Sequence, residues 1–228
     1  MTVLLVLFTF AAFLLIDHLR SRRGLQPALE VASAKHDSMP RLQPALVGGF
    51  EVPENLRYHP GHTWAISESP SLVRVGMDDF ASKLTGTLER ITLPQRGQWI
   101  RQGQKLCTIH RVLHGSDSAV DMVSPIEGTV TDINQALIED PKLALREPYG
   151  EGWLVAVNAP DAKTSFRNLL GGALARWWTE ESASRLQRRM PLAFAGALAQ
   201  DGGVAMNDLS TQIPDQEWLP LAKEFFLS

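Results

Sequence analysis

The sequence predicts a mainly β domain of short, closed or sandwiched strands, with a membrane-spanning helix before it and a helical extension after it. Three observations predict this. Residues 1–16 carry no charge and are followed closely by Arg20, Arg22 and Arg23. From Tyr58 to about Asp161, short alternating runs are separated by tight-turn residues, the spacing of an all-β unit. Beyond Asp161 the apolar period lengthens to that of a helix.

Composition narrows the function classes. The 228 residues are 44% hydrophobic and 21% charged, with a formal net charge of −3. That supports a real core and excludes a disordered tail protein. It lacks the basic excess that nucleic-acid binding needs, so no nucleic-acid partner is expected. Cys107 is the single cysteine. No internal disulfide and no cysteine zinc site can form, and a lone thiol suits a reducing compartment.

The first element is an anchor over residues 1–20. Sixteen helical residues rise ~24 Å, short of the ~30 Å hydrocarbon core. Leu19 and snorkelling arginines close the gap. A cleaved signal peptide would need a basic start and a small-x-small cleavage site; here the positive charges lie only on the C-terminal side. The positive-inside rule places those arginines in the cytoplasm, with the N-terminus outside and the soluble domain cytoplasmic. The expected location is a bacterial inner membrane, crossed once, with the lipid bilayer as the first partner through residues 1–20.

Residues 21–56 read as a proline-containing linker, with Pro27, Pro40, Pro44 and Pro53. LQPAL occurs at Leu25–Leu29 and again at Leu42–Leu46; two short copies do not make a repeat architecture.

The β elements follow in order. Trp64–Ile66 and Leu72–Val75 alternate around S-E-S-P-S, a hairpin signal. Asp78 or Asp79 starts a short helix in which Phe80 and Leu84 share a face. Leu88–Leu93 alternates. A turn at Gly103 leads into a strand, Val123–Val130 reads strand–turn–strand, and Trp153–Val157 is the last apolar strand.

Five blocks then carry a resemblance: Y-H-P-G-H-T-W (Tyr58–Trp64), V-G-M-D-D-F-A (Val75–Ala81), L-P-Q-R-G-Q-W-I-R-Q-G-Q (Leu93–Gln104), S-P-I-E-G-T-V with N-Q-A-L (Ser124–Leu137), and D-P-K-L…E-P-Y-G-E-G-W-L (Asp140–Leu154). In this order they resemble the glycine cleavage system H protein family. The resemblance implies a lipoyl/biotinyl carrier fold, a barrel-sandwich hybrid, over residues 57–162. It also implies lipoate on one lysine at a hairpin tip, in a motif reading approximately E-S-x-K-A.

Here the corresponding interval, Thr108–Pro125, contains no lysine. Aligned from the left the lipoyl position falls at Leu113, and aligned from the right at Asp117. Lys105 and Lys142 lie too far along the chain on either side. An amide-linked lipoyl group needs a primary amine, so no cofactor is expected.

Other chemistry reads weakly. His110 and His114, with Asp117 and Asp121 nearby, do not suit a metal: in a strand, residues four apart sit ~13 Å apart. His59 and His62 lie in a turn and read as structural or surface groups. No Walker A, G-x-G-x-x-G or G-x-S-x-G motif is present, so no enzyme is expected.

Residues 163–228 read as a helical extension. Phe166, Leu169, Leu170, Ala173, Leu174 and Trp177 form a stripe that continues to Met190. Pro191–Ala199 is apolar but too short to span a membrane. The pairs Trp177-Trp178 and Phe225-Phe226 do not fit easily into one core, so Trp177, Trp178, Trp218, Phe225 and Phe226 join His110, Leu113, His114 and Asp117 as candidate partner contacts.

The chain therefore reads as a non-catalytic, non-lipoylated, H-protein-like accessory or structural subunit. Its expected partners are subunits of a membrane protein complex, for example a respiratory or photosynthetic one, with no small-molecule substrate. The alternatives are a transient assembly or regulatory factor, or a genuine lipoyl-type carrier. Such a carrier would shuttle an aminomethyl group among glycine decarboxylase, aminomethyltransferase and dihydrolipoyl dehydrogenase.

Overall fold

The computed structural model describes residues 44–113, 116–190, 204–205 and 209–228. The expected anchor and residues 21–43 of the expected linker lie outside the described residues, as do Pro191–Ala199. Among the described residues no helix is long and apolar enough to cross a membrane.

The chain enters the fold as a hairpin, β1 (Pro44–Val47) and β2 (Phe50–Pro53), in register from Pro44↔Pro53 to Val47↔Phe50. This corrects the reading of residues 44–53 as tether. Gly48 and Gly49 have φ of +56° and +89°, and a two-residue hairpin loop of this kind needs positive φ at both positions. Phe50 and Val52 are buried, which fastens the hairpin to the rest of the fold.

The strands that follow are β3 (Arg57–His59), β4 (Thr63–Ser67), β5 (Leu72–Met77), β6 (Arg90–Thr92), β7 (Trp99–Ile100), β8 (Lys105–Leu113), β9 (Ser116–Val123), β10 (Gly128–Ile133) and β11 (Val155–Asn158). They form a six-stranded sheet, β3-β4-β5-β11-β10-β7, and a three-stranded sheet, β6-β8-β9. Every pairing is antiparallel. Between β5 and β6 lies helix α1 (Asp79–Thr85), whose first turn is capped by the Asp78 carboxylate accepting from the Ala81 N–H at 2.8 Å.

The sequence blocks have local physical reasons. Trp64 Nε1 donates to the Met77 and Pro148 carbonyls at 2.8 and 2.9 Å. Its ring lies so close to Gly76 that a Cβ there would sit 2.4 Å from it. Asn134 Nδ2 donates to the Glu151 and Trp153 carbonyls, fixing the E-G-W turn. The Tyr149 hydroxyl accepts from the Asp79 N–H and donates to the Glu51 carbonyl, joining β2 to α1.

Two short helices, α2 (Ala136–Glu139) and α3 (Leu143–Arg146), precede β11. After it come α4 (Ala162–Arg167), α5 (Gly172–Arg189), a 3₁₀ turn (Leu209–Gln212) and α6 (Asp215–Phe226). The stripe expected from Phe166 to Trp177 is therefore broken. Leu170 pairs with Tyr58 through two 2.8 Å backbone hydrogen bonds, and Gly171-Gly172 then restarts the helix. The buried face of α5 is small: Ala175, Thr179, Ser182, Ala183 and Leu186. Leu186, Trp218 and Phe225 belong to the same core as Val75, Ile109 and Val157, so residues 43–228 make one compact unit.

Candidate functional site

The β8–β9 hairpin is the element that the sequence singles out. Its register runs from Lys105↔Val123 to Leu113↔Ser116, and its tip residues His114 and Gly115 lie outside the described residues. Val112 faces Asp117 across the last-but-one rung. The two positions to which the lipoyl lysine was aligned, Leu113 and Asp117, thus fall within one rung of each other at the hairpin end. Lys105 is eight residues down β8 from Leu113, ~26 Å for a strand. Its ammonium is 2.8 Å from Asp121. Burial pushes Asp121 up, but hydrogen bonds from Lys105 and Thr108 outweigh it and hold the carboxyl below its usual range. Lys142 stands on the other side of the fold's sequence, at the start of α3.

The two faces of β8 differ. His110 points outward, 3.2 Å from Arg90 Nη2 and 2.9 Å from Thr92 Oγ1. Asp117 is exposed, and so is Val112. Cys107, Ile109 and Arg111 point inward and are buried. Burial pushes the Cys107 thiol up to about 12, with Asp121 adding to the effect, which leaves the thiol unreactive.

Arg111 is the site residue that the sequence reading missed. It is only 2% exposed, its guanidinium carbon sits 4.3 Å from the centre of the Trp218 ring, and its Nη2 donates to the Ser210 carbonyl at 3.4 Å. The signal was available: Cys107, Ile109 and Arg111 alternate on one strand face, so Arg111 had to face the core or a cover over it. The cover is the 3₁₀ turn and α6. Trp218 Nε1 donates to the Leu84 carbonyl at 2.8 Å, closing the chain onto α1.

This corrects part of the contact set. Trp218, Phe225 and Phe226 are buried in the core and are not available to a partner. The last turn of α6 lies among its neighbours on several sides, so adjacent phenylalanines are both enclosed. Trp178 is half-buried beside Tyr58 and His62. Trp177 and His110 do reach the surface.

His62 is buried, at 1% exposure, and holds a left-handed φ of +60°. Its Nδ1 lies 2.8 Å from Asp78 Oδ2. The ring stacks on Phe80 at 4.0 Å, with Trp178 at 4.5 Å and Phe225 at 6.0 Å. It joins β4, α1, α5 and α6 rather than facing solvent. His59 Nδ1 accepts from the Gly61 N–H at 3.0 Å, so the two histidines of H-x-x-H have separate structural tasks. Among the described residues no group of three or more His, Cys, Asp or Glu side chains converges to hold a metal.

Comparison with known proteins adds a family. The glycine cleavage H-protein family model matches residues 56–179. The glycine cleavage system H protein of Xanthomonas euvesicatoria pv. vesicatoria is 35% identical over 120 residues, covering 53% of this chain and 88% of that protein. That of Alteromonas mediterranea is 33% identical over 111 residues, covering 49% and 83%. A crystal structure of a glycine cleavage system H protein from Mycobacterium marinum is 24% identical and covers 57% of this chain and 98% of that one, with a TM-score of 0.48. Residues 1–55 and 180–228 lie outside the family match.

Proposed function

The chain belongs to the glycine cleavage H-protein family, and from that premise we propose that it is a non-lipoylated member serving as a docking or structural subunit at a membrane. An H protein is a carrier and not an enzyme, so no turnover is sought in this chain. The observation that carries the proposal is the hairpin end itself. Neither Leu113 nor Asp117 offers a primary amine, and the nearest lysine, Lys105, stands at the far end of β8. The cover over the hairpin's inner face supports the same reading: the Arg111–Trp218 contact and the Trp218–Leu84 hydrogen bond fasten α6 there. The anchor over residues 1–20, the inner-membrane location, the cytoplasmic placement of the domain and the partner subunits are part of this proposal.

The experiment is intact mass spectrometry of the protein from its native host, alongside incubation with lipoate, ATP and a lipoate ligase. A known H protein serves as the control substrate. The expected result is an unmodified mass in both preparations. A lipoyl adduct on any residue overturns the proposal and restores the carrier reading, which the 33–35% identity to H proteins favours. Purification in mild detergent then separates a subunit from an assembly factor. Stoichiometric co-purification with a membrane complex supports the first, and substoichiometric recovery the second.

A further inference from the structure

We propose that the outward face at the start of α5, Leu174 and Trp177, seats in the headgroup–acyl boundary of the bilayer that holds the anchor; this rests on the membrane-anchor reading above. At 100° per residue, Ala175, Thr179, Ser182, Ala183 and Leu186 define the buried face of α5. Trp177 points from the opposite side. It is 66% exposed, the most of any large hydrophobic side chain among the described residues, and Leu174, one turn before it, is 53% exposed. The apolar character stops there. Further along the same face Glu181 and Arg188 bond to each other at 3.2 Å, so only one end of the helix is suited to lipid.

That end lies where the chain enters the fold. Arg176 Nη1 is 2.6 Å from Glu54, and Glu54 directly follows Pro53, which pairs with Pro44. Before Pro44 come 43 residues that contain the uncharged run 1–16 and its flanking arginines. A tether that ends beside the patch and starts in the membrane raises the effective concentration of lipid at the patch to about the millimolar range. Contact through two side chains is then enough. Tryptophan is the side chain best suited to the interface, with an apolar ring and one N–H for the headgroup layer. Arg176 is engaged by Glu54, and Glu180 and Glu181 follow on the helix. The contact is therefore with the interface itself and needs no anionic lipid.

The anchor and linker contain no tryptophan, so tryptophan quenching by lipid reports on the domain alone. The full chain is reconstituted into phosphatidylcholine vesicles carrying brominated acyl chains, floated on a density gradient, and read by fluorescence. The expected result is quenching that is largely lost in Trp177→Phe and retained in Trp99→Phe, a similarly surface-exposed control. A chain that floats with the vesicles but shows no quenching, or whose quenching survives Trp177→Phe, overturns the seat and leaves the anchor standing. A chain that fails to float overturns the anchor, and the seat with it. If Trp177 in the brominated vesicles shows no lipid quenching and becomes protected from acrylamide only when solubilised host membrane proteins are co-reconstituted, the patch belongs to a protein partner and the proposal is overturned.

Discussion

Two residues show how charge is handled inside this fold. Asp79 is buried and paired with Lys83 at 2.6 Å, and it accepts from the Glu51 N–H at 2.9 Å. Burial nonetheless raises its carboxyl above the ordinary 3.8. A raised carboxylate binds its proton more tightly in the folded state. Its stabilising contribution is complete below 3.8 and is lost as pH rises through the folded value. Asp79→Asn is expected to remove this part of the pH dependence, measured as the slope of unfolding free energy against pH above 3.8 in wild type and variant. The second residue is Trp218. Trp218→Ala is expected to cost about 3–5 kcal/mol in urea unfolding, from the cavity and the lost cover over Arg111. The sequence reading makes Trp218 a candidate partner contact because the bulky aromatics of the extension do not fit easily into one core, whereas the structure buries it completely. Nothing in local pattern tells that its N–H meets a carbonyl 134 residues away.

At the scale of elements, the β blocks were readable because each is a local turn with its own steric demand: Gly76 under Trp64, Gly152 against the Glu147 carbonyl, Asp78 at the head of α1. The β1–β2 hairpin was equally local, since V-G-G-F is a hairpin loop between apolar residues, but the surrounding prolines drew it into the linker. Gly48 is its tightest point. A Cβ there would lie 2.7 Å from the Ala183 Cβ, at a φ of +56°. Gly48→Ala is expected to lower stability by roughly 1–3 kcal/mol, read as a lower midpoint in thermal unfolding, while Gly97→Ala meets nothing within 4 Å and carries only the strain of its φ. The single stripe expected across Phe166–Trp177 failed for another reason. Period alone cannot see that Tyr58 draws Leu170 into a bridge, which splits the helix and turns Leu174 and Trp177 outward. Of the candidate site, the hairpin was legible; its cover was not, because that cover depends on contacts remote in sequence.

For the whole molecule, residues 43–228 act as one unit, although the family match ends at residue 179. A chain spanning residues 43–228 is expected to fold and unfold in a single cooperative transition, with coincident circular dichroism and tryptophan fluorescence curves. Removing residues 209–228 uncovers Phe80, Leu84 and Arg111, which Phe225 and Trp218 cover, and is expected to abolish that cooperativity; a truncated chain that keeps a sharp transition would show the extension to be an accessory. The bond between Leu84 and Trp218 also has a meaning for biogenesis. A ribosome has to translate well over a hundred further codons before α1 meets the indole that completes its surroundings, and contacts this remote form slowly. During that interval the nascent domain presents an unfinished apolar face, so holdase chaperones are its natural escort, and premature stop codons between those two positions should yield protein that quality-control proteases clear.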